Sequence, residues 1–344
     1  MLPLDKNESY WMLDEHLAEV VLSQTVREFS RYPEYSKFKS ELAVYAGVTP
    51  ENLLITPGSD SAIEHIARAF ATGGEVILPV PTFYGYETIL DRVGARIVPI
   101  TYTERDGKFI FPLLETIAEL KRDSAKVLFL CHPNNPLGCS LSKEDIRALV
   151  DAVHRSNMLI VVDEAYFEFA GSTFLSYLAG LPNLVILRSF SKTFALAGAR
   201  VGYAIAAPSI IVRLQNDTLS WPVAHPSIAA VRRSLAHESE VRPRRELVIE
   251  ARESFSEALR TIPNGTVYPS ETNFVLMRIP EAARVRDALL AQDIRVALGE
   301  SMSRFPNAKK LLHDTLRVAV PAPESQDFFI ETCKKSYNKS NHAV

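Results

Sequence analysis

Residues 184–202 read LVILRSFSKTFALAGARVG, an apolar run followed directly by a polar loop that contains Lys192 and Arg200. The apolar run is nearly continuous rather than alternating, which is typical of a strand in a parallel sheet that helices cover on both faces. In open α/β sheets, ligands bind just beyond the carboxyl ends of the strands. The stretch therefore predicts an α/β fold with candidate functional residues at the end of this strand.

The same pattern recurs along the chain between about Leu53 and Ile205. Short apolar runs alternate with amphipathic stretches such as SKEDIRALVDAVHR from Ser142, which is the rhythm of βαβ units. The candidate strands begin at Leu53, Glu75, Arg96, Lys126, Met158, Leu184 and Val201. We expect a large domain over residues 35–225, with a mostly parallel seven-stranded sheet sandwiched by helices.

The pattern changes after Trp221, where a charge-rich helical stretch runs from about Ala229 to Leu259. Two shorter strand candidates follow, NFVLMRI at Asn273 and TLRVAV at Thr315, with a helix between them. At roughly 150 residues per domain, 344 residues allow two domains. We expect residues 1–34 and 226–344 to form a smaller α+β domain, because the N-terminal segment is too short to fold alone.

Composition excludes several classes of protein. Thirty-eight basic and 41 acidic residues give a net charge of −3, which lacks the positive field that sequence-independent nucleic-acid binding requires. No apolar run reaches the length of a transmembrane helix, and no signal-peptide pattern opens the chain. Three cysteines and eight histidines show no metal-ligand spacing. We expect a soluble cytoplasmic protein with no metal, membrane or nucleic-acid partner.

Other candidate strands also end in polar residues. MLIVV ends in Asp163-Glu164-Ala165-Tyr166, KVLFL ends in CHPNNPLG, and the turn TPGSD follows the strand at Leu53. Taken singly, each has an ordinary structural explanation, such as a helix cap, a turn or a surface lysine. Together they fit one ligand with a phosphate, a protonatable ring nitrogen, a phenolic oxygen and an aldehyde. Pyridoxal 5′-phosphate (PLP) has these groups.

At these residues the chain resembles the fold-type I PLP-dependent aminotransferases, most closely the histidinol-phosphate aminotransferase-like branch. The matching stretches are RYPEY at Arg31, GSD at Gly58, PTFYGY at Pro81, PNNPLG at Pro133, VVDEAYFEF at Val161, RSFSKTFALAGARVG at Arg188, NF at Asn273 and LRVAV at Leu316. The resemblance covers nearly the whole chain. It implies the aspartate aminotransferase-like fold and an aminotransferase that works by a ping-pong Schiff-base mechanism.

The resemblance also implies roles for individual residues. Lys192 would form the Schiff base with PLP and move protons, and Asp163 would pair with the pyridine nitrogen. Tyr166 and Asn135 would hydrogen-bond the ring oxygen, and Phe83 would stack on the ring. The phosphate would be held by Ser189, Ser191 and Arg200 and by the backbone N–H groups of Ser59 and Asp60, with Tyr32 arriving from the neighbouring subunit of an active homodimer.

The substrate end of the site is implied by Arg317, which aligns with the family arginine that grips a substrate carboxylate. Tyr10 is a candidate substrate-facing tyrosine. In relatives that bind histidinol phosphate, a second arginine follows a G-I-x-V-R-like strand. Here the stretch is QDIRVALGES, with Ala297 near that position and Arg295 two residues earlier. This departure weighs against histidinol phosphate itself.

Three functions stay open at this point. The first is an aminotransferase acting on an amino acid and a 2-oxo acid. The second is a PLP-dependent decarboxylase or lyase of the threonine-phosphate decarboxylase type, because the same motifs serve several reactions and the outcome depends on substrate pose. The third is a non-catalytic PLP-binding protein, which the presence of Lys192, Asp163 and Arg200 disfavours.

Overall fold

A computed structural model describes residues 1–13, 15–122, 124–156 and 158–338. The strands in these residues are β1 (Leu2–Pro3), β2 (Leu53–Thr56), β3 (Glu75–Val80), β4 (Arg96–Thr101), β5 (Thr103–Arg105), β6 (Lys108–Ile110), β7 (Ala125–Cys131), β8 (Leu159–Asp163), β9 (Leu184–Ser189), β10 (Gly202–Ala206), β11 (Thr266–Val267), β12 (Phe274–Arg278), β13 (Ile294–Arg295), β14 (Ala297–Leu298) and β15 (Thr315–Ala319).

The α-helices are α1 (Glu15–Leu22), α2 (Val26–Ser30), α3 (Tyr35–Ala46), α4 (Gly58–Ile66), α5 (Tyr84–Arg92), α6 (Leu113–Leu120), α7 (Lys143–His154), α8 (Phe167–Ala170), α9 (Pro208–Gln215), α10 (His225–Ala236), α11 (Glu238–Leu259), α12 (Ala282–Leu290), α13 (Pro306–Leu311) and α14 (Pro323–Asn338). Shorter 3-10 helices span Tyr10–Met12, Pro50–Asn52, Leu175–Tyr177, Ala197–Ala199 and Gly299–Met302, and a π-helical turn, Ala67–Ala71, extends α4.

The largest sheet has seven strands in the order β2-β10-β9-β8-β7-β3-β4. Its pairs are parallel except at β10, which is antiparallel to both β2 and β9. All seven strand candidates form this sheet, so the prediction of a mostly parallel seven-stranded sheet is confirmed. The helix predicted from Ser142 also forms, and the Ser142 hydroxyl caps it by accepting a 3.0 Å hydrogen bond from the Asp145 amide.

Successive residues of the central strands pack on opposite faces of the sheet. In β7, Leu128 and Leu130 belong to one hydrophobic cluster, whereas Val127 and Phe129 belong to the other. Both faces are dry because helices cover both, and this explains the unbroken apolar runs in the sequence.

A second sheet, β11-β12-β15-β14, is antiparallel and lies over its own apolar cluster. The expected helical stretch from Ala229 to Leu259 is two helices, α10 and α11, that meet at His237. The break has a packing reason. Val231 of α10 and Val241 in the first turn of α11 both belong to the core of the seven-stranded sheet, and from there α11 runs to Phe255 beneath the second sheet, so a bend at His237 lets one stretch of chain pack on both cores.

The topology gathers several loops at one edge of the main sheet. The carboxyl ends of β2, β7, β8 and β9 meet there, and the loop from β9 to β10 lies at the same edge because β10 runs antiparallel. Among the described residues, no helix is both long enough and apolar enough to cross a membrane.

Candidate active site

A cavity of about 520 Å³ opens at this edge of the sheet. The seven-stranded sheet contributes the loops after its strands, and the N-terminal segment and β15 close the opposite side. Of the residues predicted for the site, those lining the cavity are Ser59, Asp60, Phe83, Asn135, Asp163, Tyr166, Ser189, Ser191, Lys192, Arg200 and Arg317. The structure therefore brings together side chains that are more than 250 positions apart in the chain.

Lys192 lies in the loop between β9 and β10, with its ammonium group directed into the cavity. The Nζ atom donates hydrogen bonds to the carbonyl oxygens of Lys6, at 3.0 Å, and Asn7, at 3.1 Å. Burial lowers the pKa of Lys192 to about 8, and the positive charges of Arg317 and Arg200 act in the same direction. A substantial fraction of this lysine is therefore neutral, and able to act as a base or nucleophile, near neutral pH.

Asp163 is the last residue of β8 and is buried beneath the cavity. Its Oδ1 accepts a 3.1 Å hydrogen bond from the Ala165 amide, and its Oδ2 accepts a 2.8 Å hydrogen bond from the Tyr86 hydroxyl. Burial raises the pKa of Asp163 to about 6, whereas the two hydrogen bonds oppose this rise. A carboxylate held in this way can pair with a protonated ring nitrogen.

Tyr166 and Asn135 line the cavity near Arg317. The Tyr166 hydroxyl accepts a 3.0 Å hydrogen bond from Nδ2 of Asn7, and burial raises the pKa of this tyrosine. Nη1 of Arg317 donates a 2.6 Å hydrogen bond to Oδ1 of Asn135, and Nη2 donates to the carbonyl oxygen of Asp5. One side chain from the main sheet and one backbone carbonyl of the N-terminal segment therefore accept hydrogen bonds from the guanidinium.

The phosphate end predicted from the GSD motif lies at the start of α4. Gly58 has a φ of +76°, and a Cβ atom at this position would lie 2.6 Å from Nη2 of Arg200. A Cβ atom on Gly202 would lie 2.5 Å from the backbone nitrogen of Ser59. The two glycines thus let the loops approach closely. The amides of the first turn of α4 have no partner within the helix and can bind an anion.

A buried polar cluster beneath the cavity joins the segments that carry Tyr166 and Lys192. Arg188 forms an ion pair of 3.0 Å with Glu164, and both side chains are almost completely buried. Oε2 of Glu168 accepts a 3.1 Å hydrogen bond from Thr193, and burial raises the pKa of Glu168 to about 7. Because Thr193 follows Lys192 directly, the cluster fixes the backbone that carries the lysine.

Tyr32 and Tyr10 are the two predicted residues that remain. Tyr32 is 72% exposed and stacks on Trp221, with ring centroids 4.3 Å apart. Within one chain it does not line the cavity. Tyr10 begins a 3-10 helix, but its side chain lies outside the described part of the structure.

The sequence analysis assigned no role to three residues that contact the site. The Tyr86 hydroxyl donates a hydrogen bond to Asp163, and the Asn7 side chain donates one to Tyr166. Nδ2 of Asn273 donates a 3.0 Å hydrogen bond to the carbonyl oxygen of Asn7. Tyr86 and Asn273 lie in motifs that match the family, PTFYGY and NF. The match of these motifs to the family could have pointed to Tyr86 and Asn273, but a motif does not show which atoms form hydrogen bonds.

A larger open concavity of about 870 Å³ lies between α3 and α10. Its arginines are engaged in ion pairs, Arg232 with Glu41 and Arg233 with Glu28. None of the residues predicted for the site lines this concavity, so the smaller cavity is the candidate active site.

The residues around the smaller cavity fit PLP. The close approach of Gly58 and Gly202 forms a cradle that a Cβ atom would fill, beside the guanidinium of Arg200. Asp163 supplies a buried acceptor, and Lys192 supplies an amine with a lowered pKa. Among the described residues, Nε of Arg317 is buried without a hydrogen-bond partner, which leaves a donor for a substrate anion.

Comparisons with known proteins agree with this geometry. The family described as aminotransferase class I and II matches residues 3–327. The histidinol-phosphate aminotransferase of Thermoanaerobacter pseudethanolicus is 33% identical over 338 residues, covering 96% of this chain and 92% of that protein.

Two solved structures show the same fold at lower sequence identity. The histidinol-phosphate aminotransferase of Sinorhizobium meliloti in complex with PLP has a TM-score of 0.86 at 22% identity, covering 98% of this chain and 91% of that one. The L-threonine-O-3-phosphate decarboxylase of Porphyromonas gingivalis has a TM-score of 0.83 at 21% identity, covering 98% and 100%. The predicted aspartate aminotransferase-like fold is confirmed. The chain belongs to the class I and II aminotransferases, a family of transferases that use PLP as their cofactor.

Proposed function

We propose that this protein moves an amino group between an amino acid and a 2-oxo acid in two half-reactions at the cavity described above. The observation that carries the proposal is the convergence of Lys192, Asp163 and Arg317 on one enclosed space. The amine with a lowered pKa can carry the proton that is transferred, and the buried carboxylate can pair with the positive ring nitrogen. The guanidinium can bind the negative carboxylate of the substrate.

In this proposal, one set of residues holds the ring of PLP and another holds its phosphate. Asp163 pairs with the ring nitrogen, Tyr166 and Asn135 hydrogen-bond the ring oxygen, and Phe83 covers one face of the ring. The phosphate is bound by Ser189, Ser191 and Arg200 and by the backbone N–H groups of Ser59 and Asp60, and Arg200 supplies a permanent positive charge. The amides at the start of α4 contribute further donors.

PLP, when bound, supplies an electron sink that stabilises negative charge at the substrate Cα. The protein supplies the proton transfers. Lys192 would remove a proton from the substrate Cα when neutral and, once charged, deliver it to C4′ of the cofactor, and its pKa of about 8 makes both forms available. Asp163 itself is buried, and the low polarity of its surroundings strengthens its contact with a charged partner.

Arg317 sets the class of substrate. Its guanidinium is buried, and charge-assisted hydrogen bonds from it suit a carboxylate. The cited relative from Thermoanaerobacter is named for histidinol phosphate, which has a phosphate but no carboxylate. Directly opposite Arg317 in the sheet register lies Ala297, and Arg295 lies 4.0 Å from Asp5. Only one arginine therefore faces the substrate from this strand pair, so we favour an α-amino acid.

We also propose an active homodimer. Several apolar side chains of the N-terminal helices are exposed in the single chain, among them Val26 at 85% and Phe29 at 72%. Exposed apolar patches of this kind indicate an interaction surface. Tyr32 follows them directly, so a second copy on this surface would place Tyr32 near the cofactor phosphate of its partner. Equilibrium sedimentation of wild type and of Phe29→Asp tests this assembly.

The division into a large domain, residues 35–225, and a small one, residues 1–34 and 226–344, stays a proposal. It is supported by the cluster under the second sheet, which includes Leu4, Phe255 and Phe329 and draws on no residue of 35–225. A cytoplasmic location stays a prediction from the sequence.

A substrate panel tests the activity. Protein loaded with PLP is incubated with glutamate, other α-amino acids, histidinol phosphate and threonine phosphate. We expect the aminated cofactor and a stoichiometric 2-oxo acid from at least one α-amino acid. Release of carbon dioxide with the cofactor unchanged would indicate the decarboxylase alternative, and turnover of histidinol phosphate alone would overturn our assignment of the carboxylate to Arg317.

A further inference from the structure

Tyr86 is a buried tyrosine of α5 that does not line the cavity but touches a residue that does. Its side chain is fully buried, and its hydroxyl donates a 2.8 Å hydrogen bond to Oδ2 of Asp163. The two residues are 77 positions apart, and α5 brings them together from the loop that follows β3. A buried hydroxyl directed at a site carboxylate is a specific arrangement that needs an explanation.

The contact fixes the orientation of the carboxylate. The Ala165 amide donates to Oδ1 and Tyr86 donates to Oδ2, so each oxygen of Asp163 has one donor from the protein. A carboxylate oxygen has two lone pairs, so each oxygen keeps one free for a further donor. With both oxygens held, the plane of the carboxylate can no longer rotate about its χ2 bond without breaking a hydrogen bond.

The surroundings of Asp163 otherwise favour its neutral form. Burial and the nearby carboxylates of Asp60 and Glu164 raise the pKa, and the Tyr86 hydrogen bond lowers it. The thiol of Cys131 is directly opposite on β7, and Tyr166 is the other titratable neighbour. Among the described residues, no lysine or arginine forms an ion pair with Asp163. A neutral hydroxyl therefore supplies the stabilisation that a cation would otherwise give.

The ring of Tyr86 has a second contact in the site. It meets Phe83 edge to face, with centroids 5.8 Å apart and an interplanar angle of 80°, and it packs on Phe129 behind. Gly85 allows this arrangement, because a Cβ atom there would overlap the Phe83 ring. One side chain thus supports both the residue proposed to cover the cofactor ring and the residue proposed to pair with its nitrogen.

We propose that Tyr86 is a positioning residue that acts through Asp163, holding the carboxylate ionised and aimed at the ring nitrogen of the cofactor. The inference rests on the proposed function for the role of Asp163. The hydrogen bond itself does not depend on that function, and the two parts can be tested separately.

The first test uses cofactor-free protein and the variant Tyr86→Phe, which keeps the ring and removes only the hydroxyl. Tyr84→Phe is the matched control, because Tyr84 belongs to the same motif but is 48% exposed and does not line the cavity. Carbon-13 NMR of carboxyl-labelled aspartate measures the pKa of Asp163. Since a hydrogen bond to a charged group contributes about 1.5–3 kcal/mol, we expect Tyr86→Phe to raise this pKa by about 1–2. An unchanged value would overturn the proposal.

The second test measures PLP itself. We expect Tyr86→Phe to weaken PLP binding about tenfold and to lower the pH at which the ring nitrogen of nitrogen-15-labelled PLP loses its proton. A double-mutant cycle with Asp163→Asn then asks whether Tyr86 acts through Asp163. In the Asp163→Asn background, Tyr86→Phe should change PLP affinity less than twofold. An equal loss in both backgrounds would overturn the proposal.

The outcomes separate the two claims. If wild-type protein binds no PLP but Tyr86→Phe raises the Asp163 pKa, the contact is as proposed and the proposed function fails. If PLP binds and the substrate panel reacts but the Asp163 pKa is unchanged in Tyr86→Phe, the proposed function stands and the role of Tyr86 fails. Thermal unfolding of Tyr86→Phe establishes that it is folded. Should it not fold, Tyr86 with a fluorinated ring, which is a stronger donor, is expected to lower the Asp163 pKa, and a constant pKa would overturn the role.

Discussion

Nη1 of Arg317, on the second sheet, lies 2.6 Å from Oδ1 of Asn135, in the loop that follows β7 of the main sheet. The hydrogen bond joins the residue proposed to hold the substrate to a residue proposed to hold the cofactor. It also sets the distance between the two sheets at the point where they face each other. The geometry of the reaction is therefore shared between two separately packed parts of the chain.

The first prediction concerns the basicity of Lys192. Burial disfavours its charged form, so its neutral fraction rises as the pH increases through about 8, well below the value near 10.4 of a free lysine. In cofactor-free protein, an amine-reactive reagent should modify Lys192 with a midpoint near pH 8, as measured by mass spectrometry of the peptide. The exposed Lys143 provides the reference in the same sample. A midpoint above 10 would contradict the prediction.

Arg317→Leu should weaken carboxylate binding selectively. Loss of a charge-assisted hydrogen bond costs about 1.5–3 kcal/mol, so we expect the KM for α-amino acids to rise roughly 10- to 150-fold. The affinity for PLP should change far less. Steady-state kinetics and PLP titration measure the two effects, and Arg284→Leu, on the exposed side of α12, is the control. Equal loss of both affinities would place Arg317 at the cofactor instead.

Ala297→Arg should create a second cation beside Arg317. The two positions are direct partners in the register of β14 and β15, where facing Cβ atoms are about 4.5–5.5 Å apart and share one face. We expect affinity for histidinol phosphate to increase at least about tenfold, as measured by titration. Ala297→Met adds a long side chain without the charge and should show no such gain. An equal gain from methionine would mean that contact area, not charge, is responsible.

Glu168 should make the stability of the protein depend on pH. Its pKa in the folded protein is raised to about 7 from 4.5, so the folded state binds more protons than the unfolded state in this interval. Stability therefore falls as the pH rises from about 4.5 to 7. Glu168→Gln cannot ionise, so its free energy of unfolding should fall less between pH 5 and pH 8.

Urea unfolding at the two pH values measures this difference, which we expect to be about 1–3 kcal/mol between variant and wild type. The comparison uses the change with pH and not the absolute stability, since glutamine also alters the bonds to Thr193 and Tyr45. Glu144→Gln, in the exposed first turn of α7, should follow the wild type. The same slope in all three proteins would show that Glu168 is ionised throughout.

Much of the fold could be predicted from local patterns. Six of the seven strands are almost wholly buried and only the edge strand β4 is partly exposed, so their apolar runs are visible in the sequence without knowledge of what covers them. The break at His237 could not be predicted in the same way. Helical periodicity continues through it, and only the tertiary packing, in which α11 runs from the core of the main sheet to the core of the second sheet, shows the turn.

The sequence by itself determined the family, the cofactor and the residues at the strand ends, because the motifs, the apolar runs and the polar residues that follow each run are local properties of the chain. Only the tertiary structure decided how these residues act on one another. The bond from Tyr86 to Asp163, the lowered pKa of Lys192 and the position of Ala297 opposite Arg317 all depend on distance and burial. Those quantities arise when distant segments pack together, and no stretch of sequence contains them.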